Sequence, residues 1–298
     1  MRRMLSPLVG AASCLATLSV AGVSAPQAAT AVVRSATAGG PDLVAPTHPR
    51  AARRNSGVVA SSYNWSGYVQ ATGRGSRVYT GVTTTFVVTT VNTSVPGDQY
   101  SADWVGIGGF DTNKLVQAGV EEDNVGGRAL YQAWTEILPQ SESPLSLAVS
   151  PGDTIHVTVR ETANARNRHK QWVMTVADAT TGRSAGLTVK YNISGSSAEA
   201  IHERPCIGSP CSDHLATLAT TSAATFDPAY FTTSAPNAAA VYQPLLRPTT
   251  GATLYDIAMF PSNATATTPA IATPSNANGH ADGFTVADGS AVPGPPPG

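Results

Sequence analysis

The fold is indicated most clearly by the stretch Gly152-Asp153-Thr154-Ile155-His156-Val157-Thr158-Val159. Ile155, Val157 and Val159 alternate with polar residues, which is the period-two pattern of a strand with one buried face. The Gly-Asp pair in front of them favours a turn, because these residues supply the backbone conformations that tight turns need. The stretch therefore predicts a β-strand that follows a turn and covers a hydrophobic core.

Similar patterns recur on both sides of this stretch. Thr84–Val88 is rich in β-branched and aromatic residues, and Gln171–Val176 alternates between apolar and polar side chains. Turn-forming residues separate such segments at Asn124–Gly127 and at Thr180–Gly182. No window shows the 3.6-residue periodicity of an amphipathic helix. We therefore predict an all-β domain, a sandwich or a barrel, over residues 59–262.

The composition excludes several classes of partner. Charged residues make up only 12% of the 298 residues, and the formal net charge is −1. A chain with no basic field and no polybasic run has nothing to hold nucleic acid or an anionic membrane surface. A low charge content together with much Thr, Val and Gly is typical of extracellular β-proteins.

The N-terminal residues predict secretion. Arg2 and Arg3 precede an apolar stretch from Leu8 to Val23, and small residues follow it. This is the organisation of a signal peptide, which we assign to residues 1–25, with cleavage as late as Ala29 as the second choice. A transmembrane anchor is the alternative, but the apolar stretch is short and is interrupted by Ser and Gly.

Two further segments lack the strand pattern. Residues 26–58 are rich in proline and end in a basic cluster at Arg50, Arg53 and Arg54, so we predict a propeptide or a disordered linker. The propeptide interpretation has these cations bind an acidic cleft. Residues 263–298 are rich in Ala, Thr, Pro and Gly, and we predict a low-complexity tail with one last strand near 284–286.

The cysteines allow two interpretations. Cys14 lies in the signal peptide, which leaves Cys206 and Cys211 in the mature chain. In an oxidising compartment a disulfide that closes this small loop is the default expectation. The alternative is a zinc site with His202, Cys206, Cys211 and His214 as its ligands. We predict the disulfide and no metal.

A group of aromatic residues indicates a binding groove. The chain contains neither a Gly-x-Ser-x-Gly nor a His-Glu-x-x-His motif, the signatures of two common hydrolase classes. Four aromatic residues and an acid lie in strand-like segments: Trp65, Trp104, Tyr131, Trp134 and Glu136. We predict that they line a groove for an extended peptide or a glycan.

Six short segments follow one another in a characteristic order. They are Asn64–Gly67, Ala102–Gly109, Leu115–Gly119, Tyr131–Glu136, Val149–Ile155 and Ser197–Glu203. In this order they resemble the motifs of the glutamic peptidase family, the eqolisins. The resemblance implies a sandwich of two antiparallel sheets, of the concanavalin-like or jelly-roll type. It also implies a secreted acid endopeptidase that cleaves polypeptides as a monomer, without metal or cofactor.

The resemblance assigns the catalytic pair to Gln117 and Glu203. Glu203 would be the general base that activates a water, and Gln117 would stabilise the tetrahedral intermediate. Gly119, beside Gln117 on the same face, would leave room for the substrate backbone. Glu199 lies four residues before Glu203, about 13 Å away on a strand at 3.3 Å per residue. We therefore expect a structural or substrate-side role for Glu199 rather than a shared proton.

Three positions depart from the family's pattern. Gly108 and Gln132 stand where better-known members have acids, and His202 stands beside the catalytic base. The acids that are missing would change the pKa of Glu203, and a charge on His202 would lower it. These departures also keep a second function open, a β-sandwich that binds peptides or glycans without cleaving them.

Overall fold

A computed structural model of the protein describes residues 43–44, 57–162, 170–207 and 214–298, all within one compact unit, Val33–Gly298. The described residues form seventeen strands and no α-helix. In particular, no helix in these ranges is long and apolar enough to cross a membrane. The predicted signal peptide and almost all of the predicted propeptide or linker lie outside the described residues and stay predictions.

The strands cover about half of the described residues. They are β1 (Leu43–Val44), β2 (Val58–Ser62), β3 (Trp65–Ala71), β4 (Gly81–Val87), β5 (Ala102–Gly108), β6 (Leu115–Val125), β7 (Arg128–Ile137), β8 (Ser143–Pro144), β9 (Thr154–Thr162), β10 (Gln171–Asp178), β11 (Arg183–Lys190), β12 (Ser197–Glu203), β13 (Ala224–Thr232), β14 (Tyr242–Pro244), β15 (Thr253–Met259), β16 (Ala272–Pro274) and β17 (Phe284–Asp288).

Strand pairing arranges these elements in two layers. The first follows the order β1-β2-β15-β3-β12-β5-β6-β7-β8. The second follows the order β11-β10-β9-β4-β13, with β14 and β17 on the far side of β13. β16 pairs with both β15 and β17 and so connects the layers. All pairs are antiparallel except β2 with β15. The predicted all-β sandwich is confirmed.

The main core lies between the two layers. Ile155, Val157 and Val159 of β9 are fully buried in it, whereas His156 between them is exposed. From the other layer, β5 and β6 contribute Val105 and Val116 to the same cluster. The alternation that predicted β9 is thus the alternation between this core and solvent.

A second apolar cluster covers the opposite face of the first layer. It contains Trp65, Trp104, Trp134 and Ile201, all nearly inaccessible to solvent. The rings of Trp65 and Trp104 meet edge to face, with centroids 5.0 Å apart and planes at 77°. This geometry is favourable for aromatic quadrupoles and fixes both indoles in place.

The structure contains the last strand predicted near 284–286, as β17, but corrects the interpretation of the rest of residues 263–298 as a low-complexity tail. β16 and β17 lie within this segment, and Phe284 of β17 is fully buried. Its ring stacks on Phe226 at 4.9 Å and meets Tyr68 edge to face at 4.9 Å. The folded domain therefore continues past residue 262. The Ala- and Pro-rich composition concealed the few large apolar residues that carry the packing.

Candidate active site

The site is built on the four adjacent strands β12, β5, β6 and β7. Their register places Glu199, Gly106, Gln117 and Glu136 in one row across the sheet. Two positions further along each strand the row is Ile201, Trp104, Gly119 and Trp134, and the next is Glu203, Ala102, Glu121 and Gln132. Since side chains alternate along a strand, the three rows point to the same face of the sheet.

Glu203 ends β12 with its carboxyl group held by side chains. The Trp104 indole Nε1 donates a hydrogen bond to Glu203 Oε2 at 2.7 Å, and Asn64 Nδ2 approaches Oε1 at 3.4 Å. Donors of this kind favour the ionised form of a carboxyl group. Only 9% of Glu203 is exposed, so these bonds fix a carboxylate that is largely removed from water.

Gln117 is held by the neighbouring strand. Its Nε2 donates to Glu136 Oε2 at 2.5 Å, across the β6–β7 pair in which the two residues are directly opposite each other. Both are almost completely buried. One hydrogen of the amide is used in this bond, and the second remains to donate to another group. Glu136 therefore orients the amide of Gln117, and its predicted role in binding substrate stays a prediction.

Gly119 has a different role from the one predicted. A Cβ at this position would lie 2.5 Å from Trp104 Cβ and 2.3 Å from the carbonyl oxygen of Asp103. Contacts under 3.0 Å are too short for non-bonded atoms, so only glycine permits the close approach of β5. The space that Gly119 leaves is filled by Trp104, not by substrate.

Gln117 and Glu203 face a common pocket. Its lining comprises Ala102, Gln117, Glu121, Trp134, Glu136, Glu142, Glu203, Pro205 and Cys206. The pocket has a volume of about 30 Å³. A cavity needs roughly 10–15 Å³ by the same measure to hold one water molecule. The pocket can therefore hold a water molecule, and its lining includes the Glu203 carboxyl group and the Gln117 amide, both fixed by hydrogen bonds.

Burial controls the protonation of two other carboxyl groups on this face. The pKa of Glu136 is raised well above its usual value by burial, and then by the charge of Glu203. The hydrogen bond from Gln117 opposes this rise. Burial likewise raises the pKa of Glu199. The carboxyl groups of Glu136 and Glu199 are accordingly neutral in mild acid. Glu203 differs from both, because it accepts hydrogen bonds from two side-chain donors.

Glu199 is fully buried and is not part of the pocket lining. Its Oε1 lies 3.2 Å from the position that a Cβ on Gly106 would occupy. The carboxyl group therefore covers Gly106, in the same row as Gln117 and four residues from Glu203. Its predicted structural or substrate-side role stays a prediction.

The structure divides the predicted aromatic groove. Trp134 lines the pocket, and no acceptor for its indole N–H occurs among the described residues. Trp104 holds Glu203, and Trp65 packs on Trp104. Tyr131 does not belong to this face: its hydroxyl accepts a hydrogen bond from Val91 N at 3.2 Å, and its ring packs on the inter-sheet core. The prediction for Tyr131 is wrong because it lies three residues from Trp134, an odd spacing that reverses the face.

Of the two interpretations of the cysteines, the described residues bear only on the zinc site. Cys206 is 4% exposed and lines the pocket, whereas Cys211 lies outside the described residues, so the disulfide stays a prediction. His202, a ligand in the zinc alternative, instead contacts Asp103 on the opposite face of the sheet. His214 is exposed, and the described residues contain no group of three or more ligands placed to hold a metal ion.

Three residues at the site were not predicted from the sequence. Asn64 belongs to the Asn64–Gly67 motif, but the motif alone assigns no role to its side chain. Glu121 lies four residues after Gln117 in β6, an even spacing that places it on the same face. Glu142 lies in the connection between β7 and β8, where no periodicity reveals its direction.

Comparison with known proteins agrees with this architecture. The model of the peptidase A4 family matches residues 63–279. The crystal structure of scytalido-glutamic peptidase with a transition-state analogue inhibitor is 21% identical, with a TM-score of 0.58, and the match covers 76% of this chain and 98% of that one. The structure of SCP-B, a member of the eqolisin family in complex with the tripeptide Ala-Ile-His, is 19% identical with a TM-score of 0.51 and the same coverage. No curated protein matches the chain. The structural likenesses show a shared fold.

Proposed function

This chain belongs to the peptidase A4 family, the glutamic peptidases or eqolisins, and is a glutamic-type endopeptidase; from that premise we propose that it hydrolyses polypeptides in acid with Glu203 and Gln117 as its catalytic pair. The observation that carries the proposal is the pocket, which both side chains line and which is large enough for a water molecule. The predicted signal peptide supports secretion as the setting, and we expect a monomer.

Hydrolysis begins with activation of this water. Ionised Glu203, held by Trp104, takes a proton from the water, whose oxygen attacks the carbonyl carbon of the scissile peptide bond. The bond from the indole N–H keeps the carboxylate in one orientation. A free glutamate has a pKa of about 4.3, so a carboxylate with hydrogen-bond donors stays ionised in mild acid.

Gln117 then stabilises the tetrahedral intermediate. The amide hydrogen that Glu136 does not use donates to the oxyanion that forms on the former carbonyl oxygen. A single donor of this kind is worth about 3–4 kcal/mol where it has been removed from other enzymes. Glu203, now protonated, gives its proton to the leaving amine as the C–N bond breaks, and returns to its starting state.

The test is protein hydrolysis by the purified mature enzyme between pH 2 and 6. Glu203→Gln should reduce kcat by roughly 10²–10⁴-fold, because an amide cannot accept the water's proton. Gln117→Ala should reduce kcat by roughly 10²–10³-fold through loss of the oxyanion donor.

Circular dichroism and thermal unfolding should show that both variants are folded. Full activity of folded Glu203→Gln would refute the assignment of the base. A wild-type protein that binds peptides but cleaves none at any pH would favour the alternative of a binding module.

A further inference from the structure

A buried ion pair lies directly behind the candidate base. His202 and Asp103 are cross-strand partners in the β12–β5 pair and point to the face opposite Glu203. His202 Nδ1 and Asp103 Oδ1 are 2.8 Å apart, and their side chains are 2% and 0% exposed. A buried charge pair of this kind is costly to desolvate, so each partner depends on the charge of the other.

Other carboxyl groups surround this pair. Glu122 of β6 lies two residues from Val120, the β6 partner of Asp103, and therefore shares its face. Glu122 is completely buried, and burial first and the charge of Asp103 second raise its pKa well above the usual value. Asp288 at the end of β17 also acts on His202. On β3 the register partner of His202 is Ser66, which carries no charge.

The balance of these effects keeps His202 charged. Burial opposes the charge on the imidazole, but the carboxylates of Asp103, Asp288 and Glu203 outweigh it, and the pKa of His202 is raised above 6.5. In mild acid this cluster of three side chains thus contains the His202 imidazolium, the Asp103 carboxylate and a neutral Glu122. The negative charge of Asp103 is compensated inside the protein.

The ion pair is connected to the catalytic face through the same two strands. His202 precedes Glu203 in β12, and Asp103 precedes Trp104, which donates to Glu203. A bond between the two strands at this position fixes the register in which Trp104 and Glu203 meet. An uncompensated Asp103 would also repel the carboxylate of Glu203 through a sheet from which water is excluded.

We propose that His202 is a positioning residue for Glu203, whose imidazolium neutralises Asp103 behind the sheet so that Glu203 can ionise in acid. The inference rests on the proposed role of Glu203. It goes beyond that role, because it assigns the acid limit of activity to a residue that never contacts the substrate.

The test compares pH profiles of kcat/KM for wild type, His202→Gln, Asp103→Asn and the double variant. His202→Gln leaves Asp103 uncompensated, so the acid limb should move up by about 0.5–1 pH unit, with KM changed less than the limb. The double variant replaces the ion pair by a neutral pair and should return the limb towards wild type. A merely structural role would lower the fraction of folded enzyme without moving the limb. His156→Gln, an exposed histidine in the other layer, is the matched control and should leave the profile unchanged.

The protonation of His202 provides an independent measurement if His202→Gln does not fold. Imidazole nitrogen shifts in ¹⁵N-histidine-labelled wild type should show His202 cationic up to a pH above 6.5. A neutral His202 at pH 5 would overturn the inference, and so would a folded His202→Gln whose acid limb matches wild type.

The two proposals fail separately. Activity in folded Glu203→Gln refutes the assignment of the base, whatever the His202 variants show. An inactive Glu203→Gln together with an unmoved His202→Gln profile refutes only the inference about His202.

Discussion

At the scale of single residues, Gly108 and Gln132, which stand where the family's pattern has acids, have structural roles of their own in this chain. Gly108 has a φ of +86° at the end of β5, and a Cβ there would lie 2.4 Å from Ile193 Cδ1. Gln132 donates to the carbonyl oxygens of Leu145 at 2.9 Å and Ala133 at 2.8 Å. Glycine is therefore required by the backbone, and Gln132 ties β7 to the segment that follows it.

Gly108→Ala should destabilise the protein more than Gly152→Ala. Both glycines have a positive φ, about +90°, but a Cβ on Gly152 meets nothing within 4 Å. Gly152→Ala should cost about 1–2 kcal/mol of unfolding free energy from backbone strain alone, and Gly108→Ala should cost a further 1–3 kcal/mol from overpacking, a rough figure. Urea unfolding measures both. Equal losses would show that the contact with Ile193 relaxes freely.

Glu136 should act on catalysis through Gln117. Glu136→Ala removes the acceptor that orients the amide and should lower kcat by about 10- to 100-fold. Glu136→Gln should retain most of the activity, because the raised pKa of Glu136 means that the neutral carboxyl group is what the site contains in acid. Glu142→Ala, which removes a carboxyl from the same pocket, is the comparison. A loss in Glu142→Ala as large as that in Glu136→Ala would point to pocket charge instead of orientation.

At the scale of elements, the sequence predicts strands that alternate and misses those that do not. β9 follows from Ile155, Val157 and Val159, since each is buried and each neighbour is more exposed. The same alternation places Tyr131 on the core side of β7, because it lies an odd number of residues from Trp134. β16 has only three residues, Ala272–Pro274, which is too short for any periodicity. The pocket of Gln117 and Glu203 joins β6 to β12, and only the strand order reveals that β5 lies between them.

β17 should be a structural element rather than part of a tail. Phe284→Ala removes a ring packed against Tyr68 and Phe226, and should cost about 3–5 kcal/mol of unfolding free energy. Val292→Ala lies beyond β17 at a residue that is 52% exposed, and should change stability by less than about 0.5 kcal/mol. Denaturant unfolding distinguishes the two. Equal, small effects would restore the interpretation of 263–298 as a tail.

At the scale of the whole molecule, the buried acids make folding depend on pH. Burial is the largest cause that raises the pKa values of Glu122, Glu136 and Glu199 in the folded protein. Above about pH 4.3 the unfolded chain releases protons that the folded protein retains, so stability falls as the pH rises. His202 acts in the same direction: its raised pKa adds stability below about pH 6.5, which is lost as the pH passes through the folded value.

The unfolding free energy should therefore decrease between pH 4.5 and 7. Each buried acid contributes a slope of up to about 1.4 kcal/mol per pH unit, until it ionises in the folded state. Urea unfolding at several pH values measures this slope. Glu122→Gln removes one of these groups and should flatten the slope by up to one proton. Stability that increases from pH 4.5 to 7 would contradict the assignment.

The strand order also has a consequence for how the chain acquires its structure. In the first layer, β3 lies between β12 and β15, and β2 pairs with β15, so early strands of the domain have late strands as neighbours. During synthesis the early strands must wait for β12 and β15 before their edges are paired. Distant pairings of this kind slow folding and leave strand edges exposed in the meantime. This layer is thus completed late: a polypeptide interrupted before residue 253 would lack β15, so β2 and one edge of β3 would lack this partner.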